Sequence, residues 1–319
     1  MKDIGFSAYL TKPTKPSLLK SAISNIWSAQ KHGQDIDLIT KHSLAEAISK
    51  DENSKNINAS VLLVEDDHVN QKVALHMLSK FGCNVELATD GAEAVEKNKL
   101  SAYDIIFMDG QMPIMDGFEA TREIRKAESD LKHTPIVALT ANAMKGDREK
   151  CINAGMDDYI SKPVNKNDLE KMLNKYCQHI IENSNLDIDT YNIESIDNDN
   201  SEATIEEYSI SKAINRYDGD EDLVKELVDL FMSDYQSMLT NLDNSVANRN
   251  ADDLQQAAHK IKGSLSNFKA DRAVELGLSL ENRGKENNFE NVENDLEIFH
   301  KELDKVTKEF KKYIEIIEV

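Results

Sequence analysis

Between residues 60 and 180 the chain alternates short apolar runs with amphipathic stretches. The runs VLLVE (61–65), NVELA (84–88), DIIFM (104–108), PIVAL (135–139) and DYI (158–160) have the length of strands. The first, third and fourth are continuously apolar, the pattern of parallel strands buried on both faces. Helical patches fill the gaps at 68–81, 91–98, about 117–128, 145–154 and 167–178. Five strand–helix units in strict alternation predict an α/β fold, a doubly wound parallel five-stranded sheet. In such sheets a site lies beyond the carboxyl ends of the strands. From 207 to 319 only helical periodicity remains. Leu223, Leu227, Leu230, Phe231, Met238 and Leu242 mark one helix over 220–248, and Leu254, Ala258, Ile261, Leu265 and Phe268 a second over 251–268. A shorter helix follows near 271–286. Leu296, Phe299, Leu303, Val306, Phe310 and Ile314 mark the last, over 289–317. Short connections between them predict an all-α bundle of antiparallel helices.

The remaining segments read differently. Residues 181–206 are rich in Asp, Asn, Glu and Ser, and no Lys or Arg falls between Lys175 and Lys212. That stretch repels itself and reads as an acidic flexible linker. Residues 28–59 are polar and read as a second linker. Near the start, IGFSAYLTKPTKPSLLKSAI repeats AGMDDYISKPVNKNDLEKML at an offset of 150, with Gly5, Tyr9, Lys12, Pro13 and Leu19 on Gly155, Tyr159, Lys162, Pro163 and Leu169. Residues 1–27 therefore read as the last strand and helix of a second copy of the 60–180 domain. Too short for a core of its own, this remnant should pack poorly, with Lys12 inert.

Charge narrows the function classes. The chain has 319 residues, 38 Lys plus Arg and 58 Asp plus Glu, for a net charge of −20. That excess argues against a nucleic-acid partner and against docking on an anionic membrane. No apolar run is long enough to span a bilayer, and no signal peptide opens the sequence. Cys83, Cys151 and Cys177 lack metal-ligand spacing and read as reduced thiols of a cytoplasmic protein.

The chemistry gathers at the strand ends. Glu65, Asp66 and Asp67 close the first strand and Asp109 the third, so a parallel sheet brings them to one edge. Carboxylates so placed repel unless a hard cation joins them, and Mg²⁺ takes oxygen ligands. The fourth strand ends at Thr140, and the fifth is followed by Lys162, held by Pro163. Metal, lysine and hydroxyl around a carboxylate suit a phosphoryl group, with the carboxylate as nucleophile forming an acyl phosphate. Asp67 reads equally well as a helix N-cap. Met108, Met112 and Met115 read as packing.

VLLVEDDHVNQKVA, FMDGQMPIMDG, ALTANA and YISKP together resemble the receiver domain of two-component response regulators, a flavodoxin-like fold, over about 120 residues. The resemblance implies that Asp109 is the phospho-acceptor. It implies that Glu65 and Asp66 are the acidic pair, and that Asp66, Asp109 and the backbone carbonyl of Gln111 ligate Mg²⁺. It also implies that Thr140 and Lys162 hold the phosphoryl oxygens and that Tyr159 is the aromatic switch that follows Thr140.

On the helix over 251–268, His259 lies roughly 140° from the apolar stripe at about 100° per residue, which predicts a solvent-facing imidazole. Gly263 lies one turn on, where a missing side chain leaves room for another protein. Glycine there costs about 1 kcal/mol relative to alanine. Lys262, at i+3, is placed to neutralise a phosphoryl group on the imidazole. AHKIKGSLSNFKA resembles the histidine phosphotransfer (HPt) signature, with Lys269 departing from the usual glycine. His68 and His76 read as ordinary helix residues.

No Gly-rich nucleotide loop appears, so the chain cannot draw phosphate from ATP by itself. The order of parts (remnant 1–27, linker 28–59, receiver 60–180, linker 181–206, HPt bundle 207–319) resembles the C-terminal part of a hybrid sensor histidine kinase. It implies a phosphorelay running from an upstream histidine kinase to Asp109, then to His259, then to a downstream response regulator. The alternatives are a non-catalytic regulatory docking module and a fragment of a split hybrid kinase.

Overall fold

The computed structural model describes residues 8–9, 39–40, 57–128, 133–140, 145–178, 180 and 208–317. Residues 1–56 and 57–319 form two units. In the first, Ala8–Tyr9 (β1) pairs in parallel with Ile39–Thr40 (β2), so the stretch read as linker 28–59 contains a short strand. The rest of the remnant 1–27, Lys12 included, and the acidic segment 181–206 lie outside the described residues.

The second unit opens with the expected α/β domain. Its strands are β3 (Ser60–Val64), β4 (Asn84–Ala88), β5 (Ile105–Asp109), β6 (Ile136–Thr140) and β7 (Asp158–Ser161). All pair in parallel, in the order β4-β3-β5-β6-β7. The switch in direction between β3 and β5 places a crevice at their carboxyl ends, where Glu65 follows β3 and Asp109 ends β5. The helices are α1 (His68–Lys80), α2 (Gly91–Leu100), α3 (Gly117–Ala127), α4 (Lys145–Ala154) and α5 (Lys166–Tyr176). Side-chain caps from Asp67, Asp90, Asp116 and Asn165 start α1, α2, α3 and α5. Each accepts an otherwise orphaned backbone N–H of the first turn. One face of the sheet buries Val61, Leu63, Ile105, Phe107 and Val137, the other Leu62, Val64, Ile106, Met108 and Ala138. The domain begins slightly before residue 60, because Ile57 is buried and its N–H donates to the Phe81 carbonyl.

The bundle follows: a short α6 (Ser211–Arg216), then α7 (Glu221–Ala247), α8 (Ala251–Ser266), α9 (Asp271–Lys285) and α10 (Val292–Ile317). The four long helices close a ring in which α7 contacts α8 and α10, and α9 contacts α8 and α10. Phe231, Phe268 and Phe310 meet at its centre, with ring centroids 4.7 to 5.7 Å apart. Sequence periodicity did not separate α6, which is too short to show a repeat. Tyr208, ahead of α6, and Tyr217, behind it, donate their hydroxyls to the carbonyls of Phe268 and Asn267, satisfying the C-terminal end of α8.

Two backbone details bear on α8. A Cβ on Gly284 would lie 2.5 Å from the Gln255 backbone nitrogen, and one on Gly277 would lie 3.1 Å from the Lys262 Cβ. These glycines, seven apart on one face of α9, let α9 lie close against α8. Lys269, just past α8, has φ +57°, a left-handed conformation that glycine adopts without penalty. Lys269→Gly is expected to raise stability by roughly 1 kcal/mol. Gly284→Ala is expected to lower it by about 1–3 kcal/mol despite alanine's better helix propensity, because the obstacle is backbone. Chemical denaturation of the two variants checks both signs.

Candidate active site

At the carboxyl edge of the sheet, carboxylate oxygens of Glu65, Asp66 and Asp109 all lie within 4.8 Å of one another. The Lys162 ammonium reaches in from the loop after β7, 2.7 Å from Asp109 Oδ2 and 2.6 Å from Glu65 Oε2, with its side chain 8% exposed. The remaining Glu65 oxygen, Oε1, accepts from Asn70 Nδ2 at 2.9 Å. Asp109 Oδ1 accepts the Gln111 backbone N–H at 3.2 Å. Three acids share one buried lysine, an excess of carboxyl oxygens that suits a hard divalent cation such as Mg²⁺.

The electrostatics follow. Burial, with Glu65 and Asp66 added, outweighs Lys162 and pushes the Asp109 carboxyl up to about 8. Burial and Glu65 also raise Asp66. Burial would lower Lys162, but Asp109 and Glu65 overcome it and hold the ammonium firmly charged. Thr140 ends β6, half-buried, and its carbonyl accepts the Lys162 N–H at 2.6 Å. Tyr159, on β7 and level with Ala138, is half-buried against the Met108 face of the sheet.

Asp67 is not one of the three clustered acids. Its Oδ1 caps α1 through Asn70 N–H, and its Oδ2 accepts from Ser264 Oγ of α8 at 2.5 Å. The N-cap reading is the one the structure bears out, and the same carboxylate also touches the bundle.

His259 departs from the sequence expectation. Its side chain is 15% exposed rather than open to solvent, and Nδ1 lies 3.3 Å from Glu281 Oε1 on α9. The close approach permitted by Gly277 and Gly284 delivers Glu281, which lies between them on the same face, to α8. Lys262 departs too: it is buried, and its Nζ donates to Glu281 Oε2 at 2.5 Å instead of standing free beside the imidazole. Lys285 donates to Glu281 Oε1 at 2.6 Å. Burial would raise Glu281, but His259, Lys262 and Lys285 together hold it well below the ordinary carboxylate range. Sequence reasoning missed Glu281; the spacing Gly277, Glu281, Gly284 on one helical face was the available signal.

The expected clearance at Gly263 is filled by α1. A Cβ there would meet Asn70 Nδ2 at 3.6 Å. Asn70 Oδ1 also accepts from Asn267 Nδ2 at 2.6 Å, so a polar chain runs from Lys162 through Glu65 and Asn70 to the end of α8. Val69 and Val73 of α1 are buried in the apolar cluster of the bundle. Between the two domains lies a cavity of about 970 Å³, lined by Glu65, Asp109 and Lys162 on one side and His259, Lys260 and Gly263 on the other. Gln111 lines the same cavity, and Lys260 Nζ stands 3.7 Å from Asp66.

Comparison with known proteins agrees with this division. Residues 61–174 match the response regulator receiver domain family, and residues 226–310 match the Hpt domain family. The chain is 48% identical over 118 residues to hybrid signal transduction histidine kinase G of Dictyostelium discoideum, covering 36% of this chain and 3% of that protein. It is 40% identical over 156 residues to hybrid signal transduction histidine kinase I of the same organism, covering 47% and 9%. It is 29% identical over 264 residues to signal transduction histidine-protein kinase BarA of Shigella flexneri, covering 83% and 26%. The chain thus spans a small part of the length of these relatives. No helix among the described residues is long and apolar enough to cross a membrane.

The Asp109 carboxyl titrates near 8 in the fold and near 3.8 when unfolded, so the folded chain binds more protons between those values and stability falls as pH rises through the window. Asp109→Asn is therefore expected to raise the Tm increasingly from about pH 5 to about pH 9, reaching at least ~3 °C. Millimolar Mg²⁺ should stabilise the unmodified chain over the same range and the variant much less. Thermal melts against pH, with and without Mg²⁺, measure both.

Proposed function

From a chain that contains a response regulator receiver domain followed by an Hpt domain, we propose a phosphorelay in which Asp109 receives a phosphoryl group and passes it to His259 of the same chain. The observation that carries this reading is that Asp109 and His259 line one cavity between the docked domains. In the first step an Asp109 carboxylate oxygen attacks the phosphorus carried by a histidine of an upstream kinase. A P–O bond forms as the P–N bond breaks, and the kinase imidazole keeps the electron pair. Lys162, already 2.7 Å from Asp109, meets one phosphoryl oxygen, and Thr140 donates to another. Mg²⁺, held by Asp66, Asp109 and the Gln111 carbonyl with Glu65 beside them, would supply neutralisation of the phosphoryl charge. Tyr159, on the strand next to Thr140, is the ring that follows this change.

In the second step the His259 imidazole attacks the same phosphorus and Asp109 leaves as a carboxylate. With Nδ1 directed at Glu281, the lone pair on Nε2 is the nucleophile. Glu281, an anion against Nδ1, offsets the positive charge that develops on the ring. Lys262 acts through Glu281, and Gly263 keeps the approach clear for α1. From His259 the phosphoryl group passes to an aspartate of a downstream response regulator, and every step is reversible. A cytoplasmic location fits these partners.

Loading the chain with a small acyl phosphate and Mg²⁺ tests the order. The expected result is alkali-stable phosphate on His259, absent in Asp109→Asn and replaced by alkali-labile acyl phosphate in His259→Gln. An unchanged histidine signal in Asp109→Asn would refute the order, and acyl phosphate that never reaches His259 would leave a docking module instead. Glu281→Gln is expected to slow labelling of His259 roughly ten- to hundredfold while leaving Asp109 loading intact, as rapid-quench kinetics would read.

A further inference from the structure

A phosphoryl group in transit spreads negative charge over its oxygens, and both ends of the path need cations to meet it. On the receiver side Lys162 stands 2.7 Å from Asp109. On the bundle side the position is different. Glu281, an anion, lies against His259, and the cation expected beside the imidazole, Lys262, is buried with its Nζ on Glu281 Oε2. Lys285 is also engaged by Glu281. Among the described residues that line the shared cavity, the bundle contributes a single lysine or arginine, Lys260. It follows His259 on α8, and its half-exposed side chain carries Nζ across to 3.7 Å from Asp66 Oδ2. At that distance the ammonium is paired with the acid but donates no hydrogen bond to it, so its N–H groups are available to another oxygen.

We propose that Lys260, in place of Lys262, is the bundle's catalytic cation. Its ammonium leaves Asp66 and donates to a phosphoryl oxygen as the group passes from Asp109 to His259. The bond from phosphorus to His259 Nε2 forms as the bond to the Asp109 oxygen breaks, and the carboxylate keeps the electron pair. Lys260 gives a hydrogen bond and no proton. The cation reaches the receiver site only while the two domains are docked, so it assists transfer between them and not the arrival of phosphate from elsewhere. This rests on the phosphotransfer reading above and adds a residue to it.

The test follows phosphoryl movement from Asp109 to His259 in the full chain, normalised to the acyl phosphate loaded. Lys260→Met is expected to slow transfer roughly ten- to hundredfold, and Lys260→Arg to recover most of the rate. Hydrogen exchange along α1, which reports docking, should be the same in all three chains, because Val69 and Val73 hold that contact. Calorimetry of the unphosphorylated chain with Mg²⁺ alone should show Lys260→Met binding the metal about three- to tenfold more tightly, since a positive charge beside Asp66 is gone. Transfer in Lys260→Met at the unmodified rate would overturn the proposal, as would Mg²⁺ affinity that ignores the substitution. A loss of α1 protection parallel to the loss of rate would also overturn it, making Lys260 a docking residue. An unmodified chain that never labels His259 would refute the relay itself, and the proposal with it.

Discussion

Everything in this structure that concerns chemistry depends on one helix being packed on two sides. Helix α1 lays Ala74 and Leu78 against the sheet and Val69 and Val73 into the bundle. Burying a valine is favourable by roughly 1.5–3 kcal/mol, so the second contact is a substantial adhesive. Its start is fixed by Asp67, which caps α1 and grips Ser264 with the same carboxylate. Because α1 follows β3 directly, whatever seats α1 on the bundle also aims the acid cluster at α8. The receiver site and the imidazole therefore face one space.

A second constraint operates inside the bundle. A buried carboxylate is unfavourable unless it is paired, and Glu281 is held by Lys262, Lys285 and His259 at once. The set has a practical effect on the imidazole: one nitrogen is fixed and the ring is oriented. The two missing side chains at Gly277 and Gly284 make this possible, since α9 has to come close for Glu281 to reach.

Much of this was legible in the sequence. The five strands and five helices of the receiver followed from apolar runs alternating with amphipathic stretches, and the observed strands shift by about one residue. The acids and Lys162 were legible because parallel topology carries strand ends to one edge. Less legible were features that depend on contact between domains. The angle of His259 from the apolar stripe predicts a solvent-facing imidazole, and the structure instead turns it against Glu281 of α9, a neighbour that helical periodicity on α8 alone does not contain. Lys262 failed for the same reason: its partner Glu281 is nineteen residues away on another helix.

The ground above Gly263 is small, and Asn70 stands on it. A second receiver cannot occupy it while α1 does, so in the relay proposed above every onward transfer from His259 requires the first receiver to leave, and the residence time of that receiver sets the pace.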